Sequence, residues 1–248
     1  MADSVLAVRD LAKAYGPGLA RLIGRAPVQV LDGVGLAVAP GERVLVAGPN
    51  GSGKSTLLRL LAGLEPADAG EVLVGGAPIT RLAARRRVAF APDRCPWPDE
   101  LSGRAALTLA ARLTGLDRGA ARAAAEAGLA RVGLAAAGGR RLGVYSKGMR
   151  RRFDLAAAFL GAPDVLLLDE PADGLDAEGC RVLDELLTEA AARGAAVLMA
   201  SHLTDLPCDR ALVLADGRVA WQGDAAALAA LPGGLLGLYG ELACSATA

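Results

Sequence analysis

Gly48, Pro49, Asn50, Gly51, Ser52, Gly53, Lys54 and Ser55 put three kinds of chemistry into eight consecutive positions. The glycines let successive backbone N–H groups point inward at the oxygens of a phosphate. Lys54 supplies a compact charge that can reach β- and γ-phosphates, and the Ser55 hydroxyl can ligate Mg²⁺. The order is G-x-x-x-x-G-K-S, the phosphate-binding P-loop pattern. An apolar run, Val44 to Gly48, precedes it, and a helical run from Thr56 to Gly63 follows. That strand–loop–helix context is what gives the pattern meaning, because a helix N-terminus adds partial positive charge. The chain has only three lysines, Lys13, Lys54 and Lys147, against 24 arginines. A lysine in so arginine-rich a chain fits a place where a point charge suits a phosphate.

Further chemistry is expected elsewhere along the chain. Asp169 and Glu170 close the apolar run Val165 to Leu168. A carboxylate at the C-terminal end of a parallel strand beside a P-loop strand is placed for Mg²⁺, directly or through water. Glu170, one residue on, can polarise an attacking water. His202, the single histidine, follows another strand candidate and can donate to a γ-phosphate and orient Glu170 and water. Ser146, Lys147, Gly148 and Met149 precede a helical run from Arg150 to Leu160. Ser146 is a plausible N-cap there, Gly148 permits close backbone approach, and such a helix end can hold a second anion. Each feature alone has a plainer reading: a strand end, a satisfied polar side chain, a capped helix.

The elements needed to hold these residues are legible in outline. Short strands are expected at Val5–Val8, Val28–Leu31 and Gly35–Val38, with a Gly- and Pro-rich loop from Gly16 to Pro27. Glu71–Val74 and Arg87–Phe90 continue the strands. From Leu101 to Leu160 Ala, Leu and Arg dominate at helical spacing, broken at Gly115, Gly133 and Gly138-Gly139. Val165–Leu168 and Ala195–Ala200 are continuous apolar runs, as expected of parallel strands buried on both faces. Ala177–Arg193 reads as a helix between them. Asp216-Gly217 is a hairpin signal between Arg210–Ala215 and Arg218–Gln222.

Composition sets the bounds. A chain of 248 residues, 53% hydrophobic, can bury a large core as one domain. A formal net charge of zero gives no global pull toward nucleic acid or acidic membrane. The triplets Arg85–Arg87 and Arg150–Arg152 are expected to be solvated faces. The four cysteines are far apart and suggest free thiols in a reducing compartment. No signal peptide is expected at the N-terminus, and the longest uncharged stretch, Ala225 to Gly240, falls short of a spanning helix.

In order and spacing these features resemble the nucleotide-binding domain of ATP-binding cassette (ABC) transporters. The P-loop, with Thr56 after it, resembles Walker A. Leu166 to Pro171 resembles Walker B followed by the catalytic glutamate. Gly174-Leu175-Asp176 resembles the D-loop, Ser201-His202 the H-loop, and Tyr145 to Met149 the signature element. Tyr15 matches the aromatic that stacks on adenine. The resemblance runs from about Val5 to Gly223. It implies an α/β P-loop NTPase core with a parallel sheet, an N-terminal antiparallel β subdomain and an inserted helical subdomain at about 97–161. The whole chain would be a single ABC ATPase domain with a C-terminal extension at about 224–248.

The resemblance further implies ATP and Mg²⁺ as ligands, and Glu170 and His202 as the catalytic pair. It implies a second ATPase chain, because each ATP is held between Walker A of one copy and the signature of the other. It implies a separate membrane permease, and a place on the inner face of the cell membrane. The Tyr-Ser-Lys-Gly-Met form is similar to an exporter-type subfamily. The cargo is not written in such a chain, since substrate contacts belong to the permease. Two other readings remain: a soluble ABC-type switch on nucleic acid or ribosomes, and a P-loop small-molecule kinase.

Two positions depart from the family pattern. Asp93 stands where its glutamine falls, and either serves as an oxygen ligand to the metal or its water, or only caps the loop toward Cys95. Lys147 and Met149 replace the signature's first glycine and its glutamine.

Overall fold

The computed structural model describes residues 4–16, 27–202 and 206–245, with side chains described through residue 239. Most of the expected Gly16–Pro27 loop therefore lies outside the described residues. Two sheets form the body. The first has the order β2-β1-β4-β5 and is antiparallel throughout, built from β1 (Leu6–Tyr15), β2 (Val28–Val38), β4 (Ala69–Val74) and β5 (Ala77–Pro78). Sequence pattern suggested two short strands for β2 and a short β1; both are long and continuous. The reason lies in bulges. The β1–β2 register slips between Val8 and Leu11 and between Leu11 and Lys13. Arg9 and Asp10 sit exposed in the first slip, with Asp10 at φ 47°, so charges that break the alternation do not end the strand.

The second sheet has the order β10-β9-β3-β8-β7-β6. Its strands are β3 (Arg43–Ala47), β6 (Val88–Ala91), β7 (Val165–Asp169), β8 (Ala196–Ala200), β9 (Arg210–Ala215) and β10 (Arg218–Asp224). All neighbours are parallel except the β9–β10 hairpin. Asp216 at φ 47° and Gly217 at φ 75° make the tight turn that the Asp-Gly pair signals. A Cβ on Gly217 would stand 2.5 Å from the Val30 carbonyl, so the hairpin tip lies directly on β2. There the Gly217 carbonyl accepts from Asp32 N at 2.9 Å.

Alternate residues of the central strands feed two cores. Val44, Val46, Val165, Leu167, Leu198 and Ala200 face the antiparallel sheet and Leu57, Leu58 and Leu61 of α1 (Lys54–Leu61). Leu45, Leu166, Leu168, Val197 and Met199 face the other helices. This two-sided burial is what the uninterrupted apolar runs require.

A single turn, α2 (Leu82–Arg85), precedes β6, and between β6 and β7 come α3 (Gly103–Leu113), α4 (Arg118–Arg131) and α5 (Lys147–Ala158). Helix α6 (Ala177–Ala192) links β7 to β8, and α7 (Ala225–Ala230) and α8 (Gly234–Ser245) end the chain. Ser102, Asp117, Ser146 and Asp176 each cap their helix by accepting from a backbone N–H three residues on. Such a cap contributes about 1 kcal/mol. Fully buried Phe153 on α5 anchors the group, edge-on to Trp97 at 5.3 Å and to Tyr145 at 6.3 Å. Among the described residues no helix is long and apolar enough to cross a membrane. Cys95, Cys180 and Cys208 are free thiols, and burial pushes Cys95 up to about 11.

Candidate phosphate-binding site

β3 runs into the P-loop, and the loop runs into α1. Gly53 occupies the N-cap of α1 at φ 103°, and no side chain caps it. A Cβ there would stand 2.7 Å from Leu31 Cδ2 and 2.8 Å from the Val30 carbonyl, so the turn requires glycine. The first N–H groups of α1 are thus left for a ligand. The first turn also contains no acidic residue. Lys54 is buried, and its ammonium donates to the carbonyls of Gly48 at 2.7 Å and Pro49 at 3.1 Å. Burial lowers its pKa, and Glu170 and Asp169 oppose that shift.

β7 and β8 bring the acids and the histidine to the same sheet edge. Asp169 is buried, and desolvation raises its pKa while the Ser55 hydroxyl pulls it down. Glu170 has left the strand into the left-handed region at φ 48°, and its N–H donates to the Ala200 carbonyl at 2.8 Å. Its Oε2 accepts from Ser201 Oγ at 3.0 Å and lies 3.0 Å from His202 Nδ1. A left-handed non-glycine backbone is costly, and it clusters where a side chain must be aimed.

One cleft of about 450 Å³ gathers the loop and the two acids, while His202 stands behind Glu170 and does not line it. Tyr15, Asn50, Gly51, Gly53, Lys54, Ser55, Thr56, Asp93, Asp169 and Glu170 line it, with Val30 from β2. The Tyr15 hydroxyl donates to Glu65, which also accepts from Arg59 Nε at 2.6 Å, so the ring at the cleft mouth is tethered. The donor set fits a polyphosphate: uncapped N–H groups, one buried ammonium and one ring. Among the described residues no group of three His, Cys, Asp or Glu could hold a metal. Ser55 and Asp169 instead fit Mg²⁺, which keeps waters and shares its coordination with substrate phosphates.

Ser146 and Lys147 do not reach this cleft. They line a second one of about 480 Å³, together with Tyr145, Arg150, Arg151, Asp154, Asp173 and the Asp93–Cys95 segment. Asp93 borders both. Lys147 pairs with Asp173 at 2.8 Å. Gly148 packs against the Gly174 carbonyl, and Asp176 serves as the cap of α6.

Two residues escaped the sequence reading. Arg151 was expected on a solvated face; it is 4% exposed, because its partners are backbone carbonyls that carry no sequence signal. Tyr239 on α8 sits beside Gly48. Burial pushes its phenol up to about 12, against the opposing Gly48 amide.

The ABC transporter family profile matches residues 31–173. Daunorubicin resistance ATP-binding protein DrrA3 of Streptomyces coeruleorubidus is 38% identical over 94% of this chain and 72% of its own length. Nod factor export ATP-binding protein I of Paraburkholderia xenovorans is 36% identical over 81% of this chain and 68% of its own. Among solved structures, an ATP-binding subunit of an ABC transporter superposes with a TM-score of 0.84 at 29% identity, covering 97% of this chain and all of the other. The post-hydrolysis dimer of the cassette MJ0796, bound to ADP and Pi, has the same fold, with a TM-score of 0.78 at 23% identity over 89% of this chain.

Proposed function

The chain belongs to the ABC transporter family, and on that premise we propose that it binds and hydrolyses ATP to drive export through a separate membrane permease. One observation carries the reading. Lys54 and Ser55 at the start of α1, and Asp169 and Glu170 at the end of β7, are far apart in sequence yet line one cleft at the C-terminal edge of the sheet. Lys54 and the N–H groups of α1 hold the phosphates. Ser55 and Asp169 would hold Mg²⁺, which would supply neutralisation of phosphate charge. Asp93 would add an oxygen ligand to that metal or to its water. Tyr15 stacks on the adenine.

Glu170 accepts the proton of the attacking water. Ser201 and His202 hold its carboxylate from the β8 side, so its free oxygen is aimed rather than mobile. Ser146, Lys147, Gly148 and Met149 sit away from their own chain's phosphate cleft. That separation supports a working unit of two copies, each completing the other's site. We read 97–161 as the helical subdomain and 224–248 as a C-terminal extension, with the protein peripheral on the inner membrane face. Relatives named for unlike cargos match almost equally well, which fits cargo choice residing in the permease.

Glu170→Gln tests the assignment. ATP binding should persist while phosphate release falls at least about a hundredfold, the scale of a general base. Wild-type turnover in that variant would overturn it.

A further inference from the structure

Arg151 is the most enclosed cation among the described residues, and it ties two segments, 92–93 and 169–171, to α5. Its Nη1 donates to the Pro92 carbonyl at 2.9 Å and approaches the Asp93 carbonyl at 3.4 Å. Its Nη2 donates to the carbonyls of Asp169 and Glu170, and its Nε to the Pro171 carbonyl at 3.2 Å. All three nitrogens are thus spent on main chain. Asp154, Asp93, Asp169 and Asp173 surround the guanidinium and oppose the lowering of its pKa by burial. The neighbouring arginines do different work. Arg150 reaches Asp99 at 2.7 Å, and Arg152 is turned toward the Val132 carbonyl at 3.5 Å.

We propose that Arg151 is a positioning residue for hydrolysis: it fixes the backbone of Glu170 in its left-handed conformation and locks the Pro92-Asp93 loop to the same point. Nothing else from α5 reaches the Asp169 and Glu170 carbonyls, and a guanidinium is the one side chain whose rigid fork serves several carbonyls together. The carbonyls of three successive residues, 169 to 171, converge on it because Glu170 turns out of the extended conformation. Removing the guanidinium takes one donor from the Asp169, Glu170 and Pro171 carbonyls. It leaves the Glu170 carbonyl held, among the described residues, by the Asp173 N–H alone, at 3.0 Å, which favours relaxation of that turn. The Glu170 carboxylate then swings relative to water held at the phosphate. A shift of about 1 Å at such a place costs on the order of a hundredfold in rate. The inference rests on the reading of Glu170 as the residue that activates water.

The test uses the full chain as Arg151→Met, Arg151→Lys, Glu170→Gln and the Arg151→Met/Glu170→Gln double variant. Steady-state ATP hydrolysis and equilibrium titration with a fluorescent ATP analogue are measured for each. Arg151→Met should lower kcat between about tenfold and a hundredfold with analogue affinity within about twofold, because the P-loop is untouched. Arg151→Lys should recover part of kcat. The double variant should be no slower than Glu170→Gln alone, since Arg151 acts through Glu170. Full additivity on an impaired Glu170→Gln, or equal losses of kcat and affinity, would overturn the role of Arg151 while leaving Glu170 intact. Normal turnover in Glu170→Gln alone would overturn both. Should Arg151→Met not fold, Arg151→Lys combined with Glu170→Gln makes the same comparison, and additivity there is equally fatal.

Discussion

Two helices of this protein begin with a lysine, and the surroundings of those lysines are built on opposite principles. At α1 the N-terminus has no side-chain cap, and Lys54 is buried with only backbone carbonyls as acceptors. At α5 Ser146 caps the N-terminus, and Lys147 stands 71% exposed against the carboxylate of Asp173. The first end keeps its backbone donors uncapped and sets Lys54 in one cleft with Asp169 and Glu170, without an ion pair among the described residues; the second is paired directly within the chain. Two more groups of the second cleft are paired, Arg150 with Asp99 and Asp154 with the Trp97 indole. An anion meets uncapped N–H donors only at the first. At the second it must displace a partner already in place.

The largest expected effect therefore belongs to Lys54→Ala. ATP affinity should fall by about tenfold to a hundredfold, the worth of a hydrogen bond to a charged group, and hydrolysis should fall with it. Equilibrium titration measures it, and unchanged affinity would erase the contrast between the two helix ends. Asp93 borders both clefts and sharpens the comparison from the middle. Asp93→Ala should raise the Mg²⁺ concentration for half-maximal ATPase activity several-fold, and Asp93→Gln should restore most of the wild-type response. An identical Mg²⁺ titration in all three proteins would place Asp93 with the second cleft alone.

Asp154 tests how firmly the second cleft is closed. Burial lifts its carboxyl to about 6, against the Trp97 N–H, Arg151 and Arg150. Because the folded value lies above the unfolded one, this group stabilises the fold most below about pH 4. That contribution is lost as pH rises through about 6. Asn keeps the acceptor for Trp97 and does not titrate. The melting temperature of Asp154→Asn minus that of wild type should therefore climb between pH 4 and pH 6 and then level off. A flat difference would mean that Asp154 is solvated. Lys147→Ala should do least: an exposed pair contributes at most about 1 kcal/mol, so melting should shift by no more than about 4 °C. A larger loss in a thermal melt would show that Lys147 holds the fold as Lys54 does not.

The readable parts of the sequence were those whose physics is local. The P-loop depends on glycines and a lysine at fixed offsets, the hairpin on Asp216-Gly217, and β7 and β8 on unbroken apolar runs buried on both faces. The helix starts were legible only in part, although Ser102, Asp117, Ser146 and Asp176 all hold caps. What misled was long-range. A strand is expected only at Val5–Val8, but a bulge at Arg9-Asp10 carries those charges outward while β1 continues to Tyr15. Within the Arg150–Arg152 triplet it is Arg151 that is buried, because its partners, carbonyls at 92–93 and 169–171, are set by tertiary structure and not by neighbouring letters. Asp93 was legible as a departure in type. Its place between two clefts was not, since that depends on where α5 packs.

The strand order also dictates when the molecule becomes competent during synthesis. β3 carries the phosphate loop and is completed early, yet its only neighbours in the sheet are β8 and β9. About 150 residues must be made before β8 exists, and β7 reaches β3 only through it. Closing loops of that span precedes any reward from pairing, which makes such topologies slow to form. A nascent chain released before residue 196 holds a complete phosphate-loop sequence on a strand with no partner. The phosphate loop is thus written early and gains its sheet neighbours only once β8 and β9 have been made.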